Sequence, residues 1–241
     1  MQRTGSFKIR GVANQMERLG AKGPQRLLSY SAGNYGKAFA TVCRRLGHSA
    51  LVLMPSTVPP DRVSLIRSLG AEVELAESTQ LLSRLAERQR EGRTFLHSFD
   101  CPHLMAGYAS LASEVIQERR RRGQPPAPEL IIVPCGGGGL IGGLASAFSA
   151  LGFPETVVVG VEPEKADGMR RALRAGRVVD FSPASVASGL APPHAGRRTL
   201  AVAQRLISHW AHVTDEEILE AQAVLAQAKL IVEPSGAAGL A

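Results

Sequence analysis

From Leu27 onward, short β-rich runs alternate with longer segments of helical period, and this alternation confines the chain to parallel βαβ units. The first series places strands at 27–31, 49–54, 72–76 and 94–98, with helices at 34–46, 60–69 and 78–91. Gly47, Gly70 and Gly92 stand where those helices should stop. A Gly- and Pro-rich connection at 123–128 leads to a second series: strand 130–134, helix 140–151, strand 156–161 and helix 165–175. Gly and Pro mark 176–196 as a loop. Helix 197–208 and strand 211–214 follow, then a helix capped by Thr214 or Asp215 with Glu217 placed for a capping box. The stretch 230–233 reads as a last strand, and 234–241 as helix-like. With 44% hydrophobic residues in 241, the chain buries a core of one large domain or two modest ones.

Composition narrows the partners. No apolar run approaches a membrane span, and Lys8 and Arg10 are followed by no apolar signal segment, so a cytoplasmic protein without membrane contact is expected. Cys43, Cys101 and Cys135 are odd in number and far apart, which suits reduced thiols. The excess of 28 basic over 21 acidic residues gives +7, a balance that permits nucleic acid or acidic small molecules. Its densest part, the arginines at 119–122, falls at the end of a helix expected to begin near Gly107, where cations favour the negative end of the dipole. No stacking aromatics interleave with them, so no nucleic-acid partner is expected. His209 and His212 flank Trp210 without a nearby Cys or carboxylate, which points to core or surface histidines rather than a metal site.

Three loops each join an expected strand to a helix. In Pro134-Cys135-Gly136-Gly137-Gly138-Gly139-Leu140, four successive glycines expose backbone N–H groups at a helix N-terminus, a construction that holds phosphate. It lacks the G-x-G-x-x-G order and no Lys-Ser/Thr follows, so a dinucleotide or ATP site is the second choice. In Ser31-Ala32-Gly33-Asn34-Tyr35-Gly36, hydroxyl, amide and N–H groups suit a carboxylate. Val232-Glu233-Pro234-Ser235-Gly236 sets a carboxylate at a strand end, where open α/β sheets bind ligands.

Taken in order, "TGSFKIRG", "SAGNYG", "CGGGGLIGG", "GVEPEKADG", "SGLA" and "VEPSGAAG" resemble the pyridoxal-phosphate enzymes of fold type II, and within them the serine/threonine dehydratase and serine racemase group. The resemblance implies two open parallel-sheet α/β domains, tryptophan synthase β-like: a small one over 27–106, and a large cofactor-binding one, incomplete, from 1–26 and 107–241. It implies pyridoxal 5'-phosphate held by Lys8 as a Schiff base with Phe7 beside it. Gly136, Gly137, Gly138 and Gly139 would take the phosphate and Asn34 the ring hydroxyl. Glu233 would lie beside the pyridine ring, and Ser31, Ala32, Gly33, Asn34 and Tyr35 would hold the substrate carboxylate. Glu162 and the Ala166 carbonyl match a divalent-cation loop of some members, although Gly168 stands where a carboxylate ligand belongs.

The implied reaction deaminates L-serine or L-threonine to a 2-oxo acid and ammonia, with the freed Lys8 amine taking the Cα proton. The racemases of the group place a second proton carrier, a serine, where this chain has Ala32, so elimination is expected over racemisation. Further readings are a truncated, non-catalytic binding or regulatory protein and a nucleotide-dependent oxidoreductase. The pattern lacks the strand and helix that precede the lysine segment and the Ser or Cys that meets the pyridine nitrogen, so a chain incomplete at both ends is expected. When complete, the family is commonly dimeric or tetrameric, and a homo-oligomer is expected.

Overall fold

The computed structural model describes residues 2–20 and 23–241; Met1, Ala21 and Lys22, within the 1–26 segment, lie outside the described residues. Two compact units divide the chain, Met1–Gly107 and Tyr108–Ala241. The first contains α1 (Lys8–Glu17), β1 (Arg26–Tyr30), α2 (Asn34–Leu46), β2 (Ser49–Pro55), α3 (Pro60–Ser68), β3 (Glu72–Ala76), α4 (Leu81–Arg90) and β4 (Thr94–Phe95). Its strands are parallel in the order β3-β2-β1-β4. Leu27, Leu28, Val52, Leu53 and Met54 on the central β1 and β2 are fully buried, as strands covered on both faces require. β3 is an edge strand, and Glu72 and Glu74 on it pair with Arg93 and Arg88; charges there discourage pairing with another chain.

α1 has little local start signal: Phe7 makes no side-chain cap and no acid stands in the first turn, and only the Ser6 hydroxyl meets a first-turn N–H. Packing makes the helix instead. Val12 and Met16 are buried, and Gly107 lies so close that a Cβ on it would fall 2.6 Å from the Cα of Gly11. The strand expected at 94–98 pairs only over Thr94–Phe95. The Ser29 hydroxyl donates to the Leu96 carbonyl (2.8 Å), and His97 Nδ1 accepts the N–H groups of Phe99 and Asp100, which turns the chain away.

α5 (Pro102–Arg121) begins in the first unit and continues in the second. It starts five residues before the expected position, with Pro102 at a helix position that needs no N–H, and ends at its arginines as expected. The second unit continues with β5 (Leu130–Pro134), α6 (Gly139–Ala150), β6 (Val157–Pro163), α7 (Gly168–Ala175), α8 (Arg197–Leu206), β7 (His209–Val213), α9 (Asp215–Gln227) and α10 (Pro234–Ala237). Its sheet is parallel, in the order β5-β6-β7. Val133, Ile141, Val158, Met169, Leu200 and Ile207 form its main core. The capping box is present: Glu217 N–H donates to Thr214 Oγ1 at 3.1 Å, and Thr214 N–H to the Glu217 carboxylate at 2.7 Å.

The expected last strand at 230–233 is a correction. α9 ends through Lys229 at φ 63°, and the Gln222 side chain holds the Val232 carbonyl at 2.7 Å, so a side chain rather than a strand satisfies this segment. Among the described residues no helix is long and apolar enough to cross a membrane.

Candidate active site

In the second unit, three loops meet beyond the carboxyl end of β5, where parallel sheets bind ligands. Gly136 lies against the 188–190 turn: a Cβ on it would sit 3.0 Å from the Cα of Leu190. Gly189 N–H donates to Ser235 Oγ at 3.0 Å, which ties the same turn to the start of α10. The Glu233 carboxylate is near that turn, 3.6 Å from where a Gly189 Cβ would stand. The glycine loop, the "SGLA" turn and the "EPSG" segment are thus neighbours, as the order of motifs implies.

The glycine loop is a built cradle. Gly138 has φ +90°, and a Cβ there would fall 2.5 Å from Met169 Cε and 2.7 Å from Thr199 Cβ. The Gly137 carbonyl accepts from Thr199 Oγ1 at 2.7 Å and from Gly196 N–H at 3.2 Å. By contrast, the N–H groups of Gly136, Gly137, Gly138 and Gly139 donate to no group among the described residues. Four such donors in succession at the start of a 12-residue helix fit a phosphate, and no side chain is there to fill the space. Neither Thr199 nor Met169 was visible from sequence, because each meets the loop only through the fold.

In the first unit, Lys8 is the first residue of α1 and Asn34 the first of α2. Lys8 Nζ stands 4.8 Å from the Phe7 ring centre, and its backbone N–H donates to Ser6 Oγ at 3.2 Å. Ser31 Oγ accepts the N–H groups of Gly33 (3.3 Å) and Gly36 (3.2 Å), which folds the 31–36 loop onto the N-terminus of α2. Gly36 must lack a side chain, since a Cβ would sit 2.7 Å from the Ser31 carbonyl oxygen. Tyr35 points inward: it is 3% exposed, and its hydroxyl donates to Gln15 Oε1 at 2.7 Å. Ala32 and Asn34 remain partly exposed in the loop.

Glu162, at the end of β6, is fully buried, and its carboxylate accepts Met169 N–H (2.7 Å) and Arg170 N–H (2.9 Å) at the start of α7. These bonds commit both oxygens to positioning α7. Among the described residues no group of three or more His, Cys, Asp or Glu could hold a metal ion. Burial raises the Glu162 carboxyl to about 7 against those two hydrogen bonds. Burial, then the Glu162 charge, pushes the Cys135 thiol well above its ordinary value, so Cys135 is a packed thiol and not a nucleophile. A carboxyl raised from 4.5 to about 7 binds its proton more tightly when folded, so its contribution to stability is full below about 4.5 and is lost as pH rises through 7. Melting temperatures at pH 5 and pH 8 should therefore differ less in Glu162→Gln than in the unmutated protein; an equal difference would assign the pH dependence to other groups.

A parallel α/β chain with a row of unpaired backbone donors after one strand and a lysine at a helix start has parts that suit a pyridoxal-phosphate enzyme. The pyridoxal-phosphate dependent enzyme family model matches residues 1–241, and the chain belongs to that family. It is 34% identical to an L-threonine ammonia-lyase of Thermotoga maritima, over 100% of this chain and 60% of the relative. It is 36% identical to a phenylserine dehydratase of Ralstonia pickettii, over 100% of this chain and 73% of the relative. A solved T.th. threonine deaminase superposes with a TM-score of 0.90 at 36% identity, over 100% of this chain and 78% of that one.

Proposed function

We propose that this protein is a pyridoxal-phosphate-dependent ammonia-lyase that converts L-serine or L-threonine to a 2-oxo acid and ammonia. The observation that carries the proposal is the cradle of unpaired N–H groups at 136–139 in a chain similar along its whole length to ammonia-lyases and dehydratases. Pyridoxal phosphate, when bound, supplies an electron sink for the pair left at Cα. Lys8 would hold it covalently, the 136–139 N–H groups would take its phosphate, and Asn34 and Glu233 would flank its ring. We assign Lys8, the 136–139 loop and Glu233 to one cofactor-binding domain of 1–26 and 107–241, and Asn34 to a small domain of 27–106.

Each remaining part has a physical task. The substrate carboxylate is assigned to the head of α2, where the helix dipole favours an anion and the Ser31 hydroxyl has a hydrogen to donate. Lys8 Nζ takes the proton from Cα, and the β-hydroxyl takes up a proton and leaves as water as the electron pair returns. A water molecule then hydrolyses the resulting imine to the 2-oxo acid and ammonia. A coupled assay for pyruvate from L-serine and 2-oxobutyrate from L-threonine, with added pyridoxal phosphate, tests the proposal. Absence of both products while cofactor is bound would overturn it.

Ala32 decides between elimination and racemisation. It carries no ionisable or hydroxyl group, so a proton removed by Lys8 returns only from the Lys8 side. L-Serine should yield pyruvate and ammonia with little D-serine, and Ala32→Ser should raise the D-serine share. Chiral chromatography of the products reads this directly; substantial D-serine from the unmutated protein would reverse the preference.

A further inference from the structure

Thr199 lies in the first turn of α8, 62 residues from Gly137, and belongs to no motif. It is 1% exposed. Its hydroxyl carries one hydrogen and has two carbonyl oxygens in range: Gly137 at 2.7 Å, and Gly196, three residues back in its own chain, at 3.1 Å. The shorter contact is the one across the fold. Gly196 N–H reaches the same Gly137 carbonyl at 3.2 Å, so two donors from the start of α8 grip one peptide of the glycine loop.

A trans peptide directs its N–H opposite to its C=O, and no peptide among the described residues is cis. Fixing the Gly137 carbonyl toward α8 therefore turns the Gly138 N–H the other way, into the row of unpaired donors. A glycine peptide free of this grip would rotate readily, because no Cβ restricts either side of it. We infer that Thr199 is a positioning residue that sets the orientation of the Gly137–Gly138 peptide and so aims the Gly138 N–H at a bound phosphate. The inference rests on the proposed reading of 136–139 as the phosphate site.

Pyridoxal, which lacks the phosphate, separates this role from packing. Cofactor-free protein is titrated with pyridoxal 5'-phosphate and, separately, with pyridoxal, following the visible absorbance of the bound form. Thr199→Val keeps the volume and removes the hydroxyl; it should raise the Kd for pyridoxal phosphate about tenfold while leaving that for pyridoxal within about twofold. Thr199→Ser keeps the hydroxyl and should hold both values within about threefold of the unmutated protein. Should the valine variant fail to fold by circular dichroism, Thr199→Ala is carried through the same pair of titrations. Equal losses for the two ligands would reduce Thr199 to packing, and an unchanged Kd for pyridoxal phosphate would remove the hydroxyl from the site; either overturns the inference. Equal affinity of the unmutated protein for the two ligands, or binding of neither, would instead overturn the phosphate reading of the loop.

Discussion

Lys8→Ala is expected to abolish the pyridoxyl label that borohydride reduction leaves on the protein, and to lower turnover of L-serine and L-threonine by about 10²–10⁴-fold. The side chain is partly exposed, and α1 owes its place to Val12, Met16 and the Gly11 and Gly107 contact rather than to Lys8. Truncation should therefore change stability by no more than about 0.5 kcal/mol. That separation makes the experiment clean: chemistry is lost and the fold is kept. Peptide mapping of the reduced, unmutated protein should place the label on Lys8. A label on Lys37, inside α2, or on Lys229, at the end of α9, would sink the assignment.

Gly138→Ala should carry the largest structural cost of any single methyl added to the site. The residue holds φ +90°, a conformation that costs an L-residue roughly 1–2 kcal/mol. The new Cβ would also press into Met169 and Thr199 at 2.5 and 2.7 Å, both of them buried and unable to withdraw into solvent, for about 1–3 kcal/mol more. Thermal unfolding should register the sum, and titration should show weakened binding of pyridoxal phosphate. A variant that melts with the unmutated protein and binds cofactor equally well would show that the loop is loose and that the phosphate lies elsewhere.

The parts of the fold written in local chemistry were legible. The βαβ alternation, the glycine stops and the Thr214–Glu217 capping box depend on residues a few positions apart, and they reappear within a few residues of where the sequence puts them. The glycine loop was legible for the same reason, since a strand, four glycines and a helix are contiguous. What failed depends on distant residues. α1 has only the Ser6 hydroxyl at its start and is held by α2 and by Gly107, 96 positions beyond Gly11. Gly107 itself read as a helix start because its true reason, the close approach of another backbone, has no local signature. Strand propensity at 230–233 was overruled by one glutamine side chain, and the inward turn of Tyr35 is set by another. Thr199 illustrates the limit most sharply, for a threonine in the first turn of a helix is ordinary until the loop it grips is known.

The Tyr35 and Gln15 pair has a mechanical consequence. Gln15 accepts from Tyr35 through its carbonyl and donates through its amide to the His97 carbonyl at 3.1 Å, so one 2%-exposed side chain bolts α1 both to α2 and to the segment after β4. Breaking either bolt would strand a polar atom away from water, which is costly. The lysine at one end of α1 and the loop at the head of α2 therefore ride on a single stiff chassis. Slippage between the two helices would break one of these bonds, so a displacement of the 31–36 loop would carry the turn that bears Lys8 with it.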